Sequence, residues 1–94
     1  MEKTESTFLY ILYSESLDKY YTGISHDPIQ GLQYHNSSAN DWTRRGRPWT
    51  LVFKKQFNSR QLAQNWETWI KQRGNRTIID RMVSGNFNWE SSKS

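Results

Sequence analysis

At 94 residues the chain has room for one core and one site, since a domain of this size buries only about 60 to 65% of its unfolded surface. It has no cysteine, which excludes a disulfide framework and a thiolate zinc site, and no apolar run near the roughly 18 residues of a membrane span. Its net charge of +4 is uneven: residues 1 to 40 carry two basic and five acidic side chains, residues 41 to 83 ten and three. The basic half reads as a surface for a polyanion, nucleic acid above all, although a solubilising face has the same composition. These features together point to a soluble, cytoplasmic protein. The hydrophobic fraction is only 34%, but five Trp, five Tyr and four Phe can each bury about 150 to 250 Å², enough for a compact aromatic core.

Residues 1–6 are polar and are expected to be disordered. Thr7 to Ser14 is almost continuously apolar and aromatic, as in a central strand buried on both faces. Turn residues follow, and Tyr20-Tyr21-Thr22-Gly23-Ile24 resumes a strand, so the two runs form a hairpin that brings Tyr10 and Tyr21 together. Asp27-Pro28 is a helix start, with Ile29, Leu32 and Asn36 along one side and an end near Asn36. After a polar loop, Trp49, Leu51, Phe53 and Phe57 mark an alternating third strand. Asn58 and Gln61 have capping-box spacing for a second helix whose inner face is Leu62, Trp66, Trp69 and Ile70. Gly74 breaks that helix, Asn75 caps a third and Gly85 ends it. The expected fold is α/β (α+β): a small three-stranded antiparallel sheet flanked by three helices, a domain over residues 7–83, and a flexible tail over 84–94.

Four residues carry candidate chemistry. Tyr10 and Tyr21 lie in Phe8-Leu9-Tyr10 and Tyr21-Thr22-Gly23; His35 comes twelve positions after Gly23, in a His-Asn pair; Glu67 borders the apolar face of the second helix. Singly each has an ordinary reading. A strand tyrosine packs, His35 can be a helix C-terminal cation, and Glu67 can pair with Lys71 at i+4. Their joint spacing resembles the GIY-YIG endonuclease superfamily, and most closely its small stand-alone bacterial members. The segment Thr43-Arg44-Arg45-Gly46-Arg47-Pro48-Trp49 resembles a basic block of the same members.

The resemblance implies a metal-dependent nuclease: Tyr10 and Tyr21 activate or position the attacking water, His35 assists, and Glu67 holds one divalent ion. Mg²⁺ or Mn²⁺ suits a single carboxylate, because such ions keep waters and complete their shell with phosphate. Arg44, Arg45 and Arg47 are expected to be exposed and on the phosphates of nucleic acid, DNA in the first instance, with Trp42 as a neighbouring aromatic surface and Trp49 packed into the core. A phenolate would cost about 4 kcal/mol at pH 7 from a pKa near 10, so a tyrosine base needs a positive neighbour.

The departure is Gly31. It stands eight residues after Gly23, where the family places its arginine, and Gln30 beside it does not restore the charge. Arginines in comparable roles contribute about 10³ to 10⁵ in rate. The sequence therefore admits three readings: an impaired nuclease, a catalytically inactive relative that binds nucleic acid, and a structural or protein-interaction domain.

Overall fold

The computed structural model describes residues 6–36 and 44–89, with only the backbone of Arg44. Trp42, Thr43, the Arg44 side chain, residues 1–5 and residues 90–94 lie outside that description. The elements are strand β1 (Thr7–Ser14), strand β2 (Lys19–Ser25), helix α1 (Pro28–Asn36), a 3₁₀ turn (Arg44–Gly46), strand β3 (Trp49–Phe57), helix α2 (Arg60–Arg73) and helix α3 (Arg76–Ser84). The sheet order is β2-β1-β3, with both pairings antiparallel, so the most apolar strand is central, as expected. Among the described residues no helix is long and apolar enough to cross a membrane.

Alternation along β1 serves two cores. Leu9 and Ile11 join Phe57, Ala63, Trp66, Ile70 and Met82, while Tyr10 and Leu12 join Trp49, with Tyr21, Leu32 and Leu51 packed around them. Helices α2 and α3 thus cover one side of the sheet and α1 the other. Strand β3 does not alternate straight through. Ile11 faces Phe53 but Leu12 faces Leu51, so Val52 is an extra residue at a register shift. Leu51 and Trp49 consequently belong to the α1 core, and Val52, Phe53 and Phe57 to the other. The single face expected for Trp49, Leu51, Phe53 and Phe57 is divided by this shift.

The helix ends follow capping chemistry. Asp27 Oδ1 accepts from the amides of Ile29 and Gln30 at 3.2 and 3.3 Å. Ser59, not Asn58, caps α2, its hydroxyl accepting from the Leu62 amide at 3.1 Å. Asn75 caps α3, and Gly85 ends it in the left-handed region at φ 87°, where a side chain would be strained. The inner face of α1 is Pro28, Gly31, Leu32 and His35, and Ile29 is half exposed. In α2, Ala63 is buried and Leu62 is largely exposed.

The segment after α3 is not a free tail as far as Trp89. Trp89 stacks on Phe53 with centroids 5.9 Å apart and an interplanar angle of 10°, and meets Trp66 at 4.8 Å. Phe87 packs against Trp66 and Trp69. The small apolar fraction leaves the first core open at this end, and two aromatic rings from the C-terminal segment close it. At the other end of the chain, Ser6 accepts a hydrogen bond from Gln56 Nε2 at 2.7 Å.

Candidate active site

The hairpin register places Tyr10 opposite Gly23. With no Cβ at Gly23, the Tyr10 ring leans over that strand; a Cβ there would stand 2.7 Å from the hydroxyl oxygen and 2.8 Å from Cζ. The same ring lies against α1, where a Cβ on Gly31 would stand 3.0 Å from the hydroxyl and 3.1 Å from Cζ. Tyr10 therefore occupies a slot between two glycines. The residue that stands where the family pattern has arginine makes room for a tyrosine ring.

One turn beyond Gly31, His35 presents its imidazole to the same ring. Its Nε2 lies 3.3 Å from the Tyr10 hydroxyl, and both side chains are buried. Tyr21 packs on the imidazole with centroids 4.4 Å apart and touches Trp49 edge-on at 6.3 Å. Burial holds His35 below its usual 6.5, so at neutral pH it is an uncharged imidazole and not a helix-terminal cation. Neutral His35 accepts from the Tyr10 hydroxyl in the tautomer that protonates Nδ1. Burial first, then the neighbouring Tyr21 and Glu67, push the Tyr10 hydroxyl up to about 12. Forming phenolate at Tyr10 would then cost about 7 kcal/mol at pH 7, well above the 4 kcal/mol of an unperturbed tyrosine.

Glu67 approaches from α2. Its side chain is 14% exposed; Oε1 accepts from Gln64 Nε2 and Oε2 from Lys71 Nζ, both at 3.1 Å. The i+4 pair seen in the sequence is formed, and it does more than decorate the helix: Lys71 Nζ also stands 5.7 Å from the Tyr21 ring centroid. Among the described residues no group of three His, Cys, Asp or Glu side chains converges. A lone carboxylate oxygen is a donor set that fits Mg²⁺ or Mn²⁺ held mostly by water and phosphate, and does not fit zinc.

The arginine block is held beside the site by Asn36. Its side-chain amide donates to the Trp49 carbonyl at 3.1 Å and its Oδ1 accepts from the Trp49 amide at 2.6 Å, which mimics one strand pairing. Arg47 Nη1 donates to the Asn36 carbonyl at 3.3 Å, placing a guanidinium at the negative end of α1. Arg45 is exposed, and Gly46 lies under the Trp49 ring, where a Cβ would stand 2.5 Å from Cζ2.

Tyr10, Tyr21, His35 and Glu67 are thus brought together from β1, β2, α1 and α2, whereas Arg47 is held at the end of α1 and Arg45 is exposed on the 3₁₀ turn. Three features escaped sequence reasoning: the Tyr10 slot, the Asn36 bridge and the position of Lys71. The His-Asn adjacency and the Glu67–Lys71 spacing were the available signals for the last two.

No curated protein is a significant match. The chain is similar to the solution NMR structure of a UPF0213 protein from Bacillus halodurans, with 28% identity, a TM-score of 0.54 and 94% of each chain covered. Residues 6–79 match the GIY-YIG catalytic domain, and the chain belongs to the GIY-YIG family.

Proposed function

We propose that this chain is a cytoplasmic, metal-dependent phosphodiesterase of DNA, slowed by the glycine at position 31. The observation that carries this reading is the convergence of Tyr10, Tyr21 and neutral His35, with Glu67 near enough to raise the Tyr10 hydroxyl and paired to a lysine that lies over the Tyr21 ring. Glu67 would hold a divalent ion, Mg²⁺ or Mn²⁺, which when bound supplies Lewis-acid polarisation of the phosphate and a more acidic water.

The high Tyr10 pKa argues against a standing phenolate. Tyr10 works instead as a relay: its hydroxyl accepts a proton from the attacking water while passing its own to His35 Nε2. The O–H bond of water breaks as its oxygen bonds to phosphorus, the scissile phosphorus–oxygen bond breaks, and the leaving deoxyribose oxygen takes a proton from solvent; His35 ends protonated with Tyr10 neutral throughout. Tyr21 fixes the imidazole plane, and Arg45 and Arg47 meet the DNA backbone, Arg44 completing the same block. The exposed cations of the second half of the chain supply the wider attraction for a polyanion.

The test is cleavage of branched, single-stranded and duplex DNA with Mg²⁺ or Mn²⁺, expected to disappear in Glu67→Ala and to fall by about 10² or more in Tyr10→Phe. Absence of cleavage by clean preparations on all three substrates refutes it. A second reading, DNA binding without hydrolysis, is favoured by one observation: the Tyr10 ring fills the space over Gly31. It predicts DNA affinity that falls with salt, unaccompanied by strand scission.

A further inference from the structure

We propose that Lys71, a residue of α2, is the cation that meets the substrate phosphate in this site, released for that task when Glu67 exchanges its ammonium partner for a divalent ion; the inference rests on the phosphodiesterase reading above. No side chain extends from Gly31, and the space over it belongs to Tyr10. Of the described cations nearby, Arg47 donates to the Asn36 carbonyl, Lys54 lies over the Phe8 ring at 5.8 Å, and Arg45 stands exposed on the 3₁₀ turn before β3. On the far side of the hairpin, Arg76 is tied to Asp18 at 2.9 Å and Asp80 at 3.7 Å. Lys71 touches two residues of the site: Nζ is 3.1 Å from Glu67 Oε2 and 5.7 Å from the Tyr21 ring.

Exposure separates the two partners of that ion pair. The Glu67 side chain is 14% exposed and is also gripped by Gln64, whereas the Lys71 side chain is 52% exposed. The carboxylate is the fixed member and the lysine, on four flexible carbons, the movable one. A divalent ion on Glu67 would compete with Lys71 for Oε2 and with Gln64 for Oε1, and its charge would repel the ammonium. Its stem keeps the ammonium within reach of the Tyr21 face, where a phosphate oxygen offers the replacement acceptor. The ion pair thereby holds the carboxylate in place before the ion arrives, and its partner afterwards serves the anion. Lysine is a point charge without a guanidinium's fork, which fits a site slower than one with arginine.

Three measurements on Lys71→Met and Lys71→Arg test this. Cleavage is expected to fall about 10²-fold or more in Lys71→Met and to be largely retained in Lys71→Arg. The log–log salt slope for binding a labelled DNA duplex, with Ca²⁺ present as a hard oxygen-seeking ion, falls by about one in Lys71→Met only. Mn²⁺ affinity without DNA rises roughly two- to fivefold in Lys71→Met, because a competing cation has gone. An unchanged salt slope, or Mn²⁺ binding that fails to tighten, overturns the proposal and leaves Lys71 as a helix-surface partner of Glu67. If the wild type cuts no DNA, the phosphodiesterase reading falls by that result alone, and the salt slope and Mn²⁺ arms still decide the role of Lys71.

Discussion

Gly31→Ala separates the two meanings of the missing arginine. At an exposed helical position alanine is worth about 1 kcal/mol over glycine. Here the new Cβ would stand 3.0 Å from the Tyr10 hydroxyl and 3.1 Å from Cζ, so the ring has to give by a few tenths of an ångström while Gly23 lies against it from β2. Overpacking of this kind costs about 1 to 3 kcal/mol, so the net expectation is a loss of up to about 2 kcal/mol. With a urea slope of roughly 1 kcal/mol/M, the unfolding midpoint falls by as much as about 2 M. Trp49 and Trp66 are buried, so tryptophan fluorescence reports the transition. The same substitution in a Tyr10→Phe background should cost less, because the nearest atom is gone, with a coupling of about 0.5 to 2 kcal/mol. Gly31→Arg brings the same Cβ along with its charge, so it is expected to lower stability similarly, to loosen Tyr10 from His35, and to give no gain in DNA cleavage. A Gly31→Ala variant more stable than wild type by about 1 kcal/mol would refute the slot.

Trp89→Ala should cost about 2 to 4 kcal/mol in urea unfolding, because Phe53, Phe57 and Trp66 all lose a ring contact; a change below 0.5 kcal/mol would mean the C-terminal aromatics are dispensable. Asn36→Ala removes both bonds to the Trp49 backbone and should cost about 1 to 3 kcal/mol, with amide exchange at Trp49 accelerated. His35 has a depressed pKa in the fold, so its contribution is full above the unfolded value of 6.5 and is lost as pH falls through the folded value; a neutral replacement, His35→Gln, should flatten that acid arm of stability against pH. Tyr10 is the opposite case: raised from 10.0 to about 12, it contributes fully below pH 10 and loses about 2 to 3 kcal/mol between pH 10 and 12, an arm that Tyr10→Phe should remove.

The elements were legible because each rests on local chemistry: the apolar run of β1, Asp27-Pro28 ahead of α1, and the apolar spacing of α2 and α3. What local chemistry does not encode is which neighbour fills a space. The shift at Val52 moves half of β3 to the other core, and no residue of β3 announces it, since Val52 suits either face. Phe87 and Trp89 look like a tail until the open end of the core under α2 is known.

The same holds for a cation that could stand in for the arginine missing at position 31. Counting along the chain from Gly31 leads to the arginine block, which is basic, compact and close in sequence. Yet helical spacing only says that Glu67 and Lys71 share a face; it takes the packing of α2 beside β2 to show that this face includes the Tyr21 ring. At position 31 itself a Cβ would press on the Tyr10 ring, 3.0 Å from its hydroxyl. With glycine at 31, a cation for the site would have to come from another element, and α2 carries Lys71 against the Glu67 carboxylate. Compensation on this scaffold is therefore to be sought by proximity to the Tyr21 face and to Glu67, not by proximity in sequence to the position that lost its charge.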